Sequence, residues 1–492
     1  MGYKDMDSGT NKGTLNSVIG VTSKDDPQKL RGTRGVLYVI EEFGTFGALL
    51  DLISNLRPSV EDGEDVFGTI VAYGCCCAGT KVWTGDGRNI NIEDLKPEDT
   101  IVGYGTGINY TGDNVITYTE GITVEPIGKL ITLGTKQCLK ITFKSGNVLQ
   151  CSKDHPILVS TVSHPRKKDK PEKRDTIYIN TFKQAQNLKI GDKVCKCKRI
   201  NVFGKDTLFD ARLVGMLIGD GSYHFNQTPC LSSEDIEIQQ YVKERYETSL
   251  SNTHITKKNK VYEELRVKNI CKHLRSIGIY GQTKDKKRLP NNFQCLTKED
   301  TILLLSGLYD TDGCIHVDKN NDKQSYIALT QGNIEILKQI QILWKKFGVN
   351  TCIVKCKPHI SEFRKDKNVW YNLLIKGQRN LFYATEALNL IVKRKKENIE
   401  YIRQHILEYD WKKQTHLNPD IILDSIVKIE DIGEQKIYNL SAGASHTYLA
   451  NDIITHNTAG DKESDFSSAQ EIVYNPEGYN FIAFDNVYDK VG

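Results

Sequence analysis

No apolar run in the 492 residues approaches the roughly 20 needed to span a bilayer as a helix, and the opening stretch MGYKDMDSGTNKG has no signal-peptide hydrophobic core. A cytoplasmic protein without a membrane partner is therefore expected. Strong charge of one sign is missing too. Sixty-six basic side chains against 62 acidic ones leave only +4, so whole-chain charge says little about partners and only local clusters can. No G-x-x-x-x-G-K-[S/T] loop occurs anywhere, which excludes a self-sufficient P-loop ATPase. The setting for a disulfide framework is also absent, because 13 cysteines is an odd number in a long chain, and all lie between Cys75 and Cys356. Reduced thiols fit better. Cys195-x-Cys197 and Cys352-x3-Cys356 lack a second ligand pair at zinc-site spacing and read as buried or incidental thiols.

What is present divides the chain. Its length predicts two to four domains. Residues 1–30 are polar and read as a tail or loop. Residues 36–40 form a continuous β-branched run ending in Glu41 and Glu42, the pattern of a buried parallel strand delivering carboxylates to a loop, and residues 69–73 form a second such run. The pattern breaks after Gly74 at three consecutive cysteines. It resumes at Thr458, because deleting residues 75–457 joins FGTIVAYG (67–74) directly to TAGDKESDF (458–466), and the join reads as one strand and loop. The interior thus reads as an insertion that removes itself. Cys75 offers a thiol nucleophile at one edge; Asn457, which can cyclise on its own backbone, and the Thr458 hydroxyl stand at the other.

From Cys75 onward, short alternating runs separated by glycine turns predict an all-β domain of roughly 125 residues. Ser145-Gly146-Asn147 reads as a hairpin turn, and HPRKKDKPEKR (164–174) as a solvated basic loop. The start CCCAGTKV, the S-x-x-H string inside LQCSKDHPIL and the ending His456-Asn457 before Thr458 together resemble an intein, a self-splicing element. The resemblance implies a splicing (Hint) domain split in sequence, residues 75–205 and 411–457, between flanks 1–74 and 458–492. It implies Cys75 as first nucleophile, Ser152 and His155 as oxyanion and proton helpers, and Thr458 as second nucleophile. His446 and His456 would donate protons while Asn457 cyclises. No cofactor is implied. Cys75 is preferred over Cys76 and Cys77 because it restores the strand and leaves four residues before Gly79-Thr80; the other two then read as small buried bystanders. One departure stands out: Asn439 occupies a position where the family often has Asp.

Residues 206–410 are Lys-rich with helical periodicity. Two strings, LVGMLIGDG (213–221) and LSGLYDTDG (305–313), each read as an apolar helix whose glycine permits close packing and whose last turn presents an Asp. One copy alone would be an ordinary core helix. Similar strand and helix patterns follow both, and in the second Ile336, Ile340, Leu343 and Phe347 form an apolar stripe. This duplication predicts a pseudo-twofold α/β domain. The paired strings resemble LAGLIDADG homing endonucleases, which implies Asp220 and Asp312 side by side holding Mg²⁺, with Lys287 in Lys287-Arg288-Leu289-Pro290 supporting catalysis. A second lysine would lie near Lys376. Double-stranded DNA would be the partner of a monomer, its phosphates met by Lys257, Lys258 and the runs 284–288 and 393–396.

The flanks, with their acid-ended strands, resemble a fragment of a phage terminase large subunit, the ATPase that packages DNA. That implies Glu41 and Glu42 near Mg²⁺ in the intact enzyme, an α/β ATPase fragment around the insertion, the intein-less terminase gene as DNA target, and a phage-infected or prophage-bearing bacterial host. Two rival readings are a splicing element whose central domain only binds DNA, and a Hedgehog-like autoprocessing domain. The continuing flank after Asn457 argues against the latter.

Overall fold

The computed structural model describes residues 75–456 except 106–108, 112–113, 117–120, 164–176, 256–260, 284–285, 320–323, 357–368, 409–419, 443–444 and 446. Before residue 75 it describes only six short strands, among them Leu37–Ile40 and Thr69–Ala72, which pair in parallel as their apolar runs predict. The basic loop at 164–174 lies outside the described residues.

A ten-stranded antiparallel sheet system carries both ends of the segment 75–456. Its spine is two long strands, Gly121–Phe143 and Ile421–Ala442, paired from Ile127 opposite Ala442 to Phe143 opposite Ile426. Strands this long must bend to enclose a core, and four register shifts along the pair supply the bends. At one of them Gly433, at φ +66°, lies opposite Cys138. Ile92, Ile141, Leu149, Ile157, Leu440 and Ile453 fill the interior. Gly146, at φ +86°, makes the expected turn between Phe143 and the strand Val148–Ser152.

The short strand Cys76–Cys77 lies between Val148–Ser152 and Ile421–Ala442, with Cys76 opposite both Cys151 and Tyr438. The last hairpin, Thr447–Ala450 and Ile453–His456, turns on Asn451 and Asp452, both at positive φ (49° and 68°), the handedness that tight hairpins need. Thr455 pairs with Ile157, two residues beyond His155. Distant sequence ends therefore meet in one sheet.

A second core runs from Leu208 to Ile402. Helices Ala211–Asp220 and Lys298–Thr311 are each followed by two strands, a helix, two more strands and a further helix. The two four-stranded sheets have the same first-second-fourth-third order, so the internal repeat read from sequence is present in the fold. Ile336, Ile340 and Leu343 are fully buried, with Phe347 close behind. Strands Thr248–Ile255 and Thr351–Lys355 and helix Lys393–Glu408 give weak sequence signals: the first strand is mostly polar, the second is short and half-exposed, and the helix buries Lys395 together with Ile399 and Ile402 within a highly charged run. The two bodies touch where Asp452, already bonded by Trp83 Nε1 of its own body (3.0 Å), accepts a hydrogen bond from Lys345 Nζ of the other (2.6 Å). Among the described residues no helix is long and apolar enough to cross a membrane.

Candidate functional site

Ser152, at the end of its strand, holds the Cys75 peptide on two sides. The Cys75 N–H donates to Ser152 Oγ (3.1 Å), while the Ser152 N–H (2.9 Å) and hydroxyl (3.1 Å) donate to the Cys75 carbonyl. A hydroxyl can do this because it both accepts and donates. His155 follows one turn later and is fully buried. Its Nε2 lies 3.4 Å from Cys76 Sγ, the same sulfur receives the Tyr448 O–H at 3.1 Å, and His155 Nδ1 has no hydrogen-bond partner among the described residues. Cys76 is buried as the sequence suggests, yet it is engaged with the S-x-x-H histidine. Tyr448 gave no sequence signal, since it sits in an apolar run that reads as core.

The electrostatics describe a resting junction. Burial pushes the Cys75 thiol well up, with Lys136 opposing and Asp154 adding, so the sulfur stays protonated until a base acts. Burial lowers His155 to about 4 against a smaller opposite pull from Asp154. The ring is therefore neutral near pH 7, the form able to take a thiol proton. Asp154 itself is paired with Lys136 at 2.8 Å.

A His value depressed below its ordinary 6.5 contributes stability that is complete above about 6.5 and is lost as pH falls through about 4. Thermal unfolding of a Cys75→Ala, Asn457→Ala chain should show that loss on acidification. His155→Gln should make the loss smaller.

At the other end, His456 is buried and packs edge-to-face with the Phe182 ring, the ring centroids 5.0 Å apart. Asn439 is buried on the long strand opposite Ile131. His446, Asn457, Thr458, Glu41 and Glu42 lie outside the described residues.

In the second body, the helices Ala211–Asp220 and Lys298–Thr311 touch backbone to backbone. A Cβ on Gly307 would overlap the Arg212 carbonyl oxygen and lie 2.9 Å from Met216 N; one on Gly215 would lie 3.1 Å from Gly307 Cα. Glycine at both positions lets the C-terminal ends converge, bringing together Asp220 and Asp312. Desolvation and then the Asp220 charge raise Asp312 to about 6, against Lys287, a Gln331 hydrogen bond and Lys395. Asp220, open to solvent on its outer side, is also raised, chiefly by partial desolvation and against the pull of Lys287 and Lys395. Among the described residues no three His, Cys, Asp or Glu side chains converge. Two carboxylates still suit Mg²⁺, which takes one or two and completes its octahedron with water and phosphate oxygens.

Lys287 is buried, and its Nζ donates to the carbonyls of Ile218 (2.7 Å), Gly219 (2.9 Å) and Gly221 (2.9 Å). Lys395 does the same for the second helix, on Tyr309 (2.9 Å), Asp310 (2.6 Å) and Thr311 (2.9 Å). The counterpart of Lys287 is therefore Lys395. Lys376 is exposed and lies 5.5 Å from the Tyr326 ring centroid. Asp310 sets this up: fully buried and paired with Arg212 at 2.9 Å, it accepts the N–H groups of Ile391 and Val392, just before Lys395. Neither Lys287 nor Lys395 is free to meet phosphate, which corrects that part of the expected basic runs. Lys286, Lys393 and Lys396 remain exposed, whereas Lys257, Lys258 and Lys284 lie outside the described residues.

A family model of the intein splicing domain matches residues 84–457. The replicative DNA helicase DnaB of Rhodothermus marinus is 20% identical over 88% of this chain, and the chain spans 51% of that protein, about half its length. Among solved structures, a variant of the Ssp DnaB mini-intein is similar at 8% identity with TM-score 0.27, over 80% of this chain and 98% of that one. A structure of I-DmoI in complex with its target DNA is similar at 14% identity and TM-score 0.23, over 36% of this chain and 91% of that one.

Proposed function

The chain belongs to the intein splicing domain family, and from that premise we propose that it excises residues 75–457 and ligates Gly74 to Thr458. The observation that carries this reading is the two-sided hold of Ser152 on the Cys75 peptide, with a buried neutral His155 alongside. The Cys75 thiol attacks the Gly74 carbonyl while His155 takes the thiol proton and returns it to the Cys75 nitrogen, so an amide becomes a thioester. The Thr458 hydroxyl then takes the acyl group as an ester. Asn457 closes to a succinimide with His456 and His446 supplying protons, and an O-to-N shift leaves an ordinary peptide bond. Each step exchanges one acyl bond for another, so no external energy is needed.

We further propose that the body between the two splicing parts is a DNA endonuclease of LAGLIDADG type. Support comes from the repeated helix–sheet units and from two carboxylates brought together at lysine-capped helix ends. Asp220 and Asp312 would hold Mg²⁺, which when bound supplies an activated water and stabilises the leaving phosphate-ester oxygen. Lys287 and Lys395 offset the negative helix ends so that the acids can approach each other. The parallel pair Leu37–Ile40 and Thr69–Ala72 supports an α/β host, read as a terminase ATPase fragment.

Mass spectrometry of the expressed chain tests the first reading: a product joining 1–74 to 458–492 is expected beside free 75–457. Persistence of full-length chain, with Cys75→Ala and Asn457→Ala indistinguishable from it, would overturn splicing. Release of the N-terminal flank without ligation would favour a Hedgehog-like domain. For the second reading, supercoiled DNA bearing the uninterrupted terminase site should be linearised with Mg²⁺. A gel shift without nicking would reduce the domain to a DNA-binding module.

A further inference from the structure

The thiol seated against His155 belongs to Cys76, and the splicing steps above leave that thiol without a part. Its sulfur lies 3.4 Å from His155 Nε2 and receives the Tyr448 O–H at 3.1 Å, and all three side chains are buried. Two tautomers satisfy this geometry. Either the Cys76 S–H donates to Nε2, leaving an N–H on buried Nδ1, or Nε2–H donates to the sulfur and Nδ1 is bare. Nδ1 has no partner among the described residues. An orphaned buried N–H is rarer and costlier than an under-satisfied acceptor, and with Nε2 engaged by Cys76 a bare Nδ1 is the ring nitrogen left to receive a proton and return it.

We propose that Cys76 is a positioning residue for the first acyl shift: with Tyr448 holding its sulfur, it receives Nε2–H of His155 and keeps Nδ1 as the ring's free base. This rests on the splicing reading. The proton balance is simple: it leaves Cys75 Sγ, stays on Nδ1 while the carbon–sulfur bond forms, and passes to the Cys75 nitrogen as the carbon–nitrogen bond breaks. Cys76 itself neither gains nor loses a proton. Its burial, which pushes its thiol up to about 12, keeps it a neutral acceptor instead of a competing thiolate.

Thiol-induced N-terminal cleavage of an Asn457→Ala chain isolates the first step. Cys76→Ala should slow it by about tenfold, a part of what a correctly oriented acid–base group supplies, and Cys76→Ser, which keeps an acceptor, should recover most of the rate. Tyr448→Phe, which keeps the packing, should slow it less than Cys76→Ala does. In a Cys75→Ala, Asn457→Ala chain labelled with ¹⁵N-histidine, His155 should carry its proton on Nε2, and Cys76→Ala should mix the tautomers. The inference is overturned if Cys76→Ala cleaves at the parent rate, if the tautomer does not respond, or if the released element begins at Cys76, making that residue the attacking thiol. Retained cleavage in Cys75→Ala with the element still beginning at residue 75 would instead sink the splicing reading itself.

Discussion

Asp312→Asn is expected to lower DNA cleavage by roughly a thousandfold, about 4 kcal/mol of barrier, while the flanks are ligated at the parent rate. The amide keeps the shape of the carboxylate and the Gln331 contact but cannot share a divalent cation with Asp220. Asp220→Asn should behave alike. Splicing is spared because the acids lie in the core running from Leu208 to Ile402, whereas Cys75, Ser152 and His155 belong to the other sheet system. Cleavage of a plasmid and ligation in the same preparation read the two separately; parallel loss of both would refute their independence.

The same carboxyl has a pH signature. Asp312 is raised to about 6 from 3.8, so its contribution to stability is complete below about 3.8 and is lost as pH rises through about 6. Cation binding needs the ionised form and runs the other way. At limiting Mg²⁺, cleavage should rise with pH through about 6, and saturating Mg²⁺ should move that rise to lower pH.

Gly307→Val is the substitution expected to cost most stability, about 3 kcal/mol or more. Its new side chain meets the backbone of the facing helix at Arg212 and Met216, which cannot rotate away. The two motif helices must then part, Asp220 and Asp312 with them, so cleavage should fail even where the chain remains folded. Gly332→Ala is the control within the same body, since an added Cβ there would meet only the Trp370 ring at 3.9 Å. Chemical denaturation, with cleavage measured at a temperature where both variants are folded, distinguishes lost stability from lost geometry. Equal behaviour of the two variants would contradict the close-packed reading.

Patterns that depend on neighbouring residues were readable before the fold was known. The two Gly-Asp strings, the Ile336-Ile340-Leu343-Phe347 stripe, the turn at Gly146 and the apolar runs that hold strands Leu37–Ile40 and Thr69–Ala72 are local patterns, and the structure has the matching element at each. Charge runs misled for a related reason. In 393–396 three residues are exposed and Lys395 is buried, and composition treats all four alike.

The sequence by itself determined where the chain changes character and that the interior is a repeated unit with one acid per copy, while the resemblance carried by the S-x-x-H string pointed to Ser152 and His155. Those properties follow from residue type and short-range period. Only the tertiary structure decided that Lys395 answers Lys287 across the pseudo-twofold, and that the Cys76 sulfur sits between His155 Nε2 and the Tyr448 hydroxyl. Each depends on contacts between residues tens to hundreds of positions apart. The long-range closure of the sheet and the glycine-to-glycine packing of two helices create those contacts, and no local pattern encodes them.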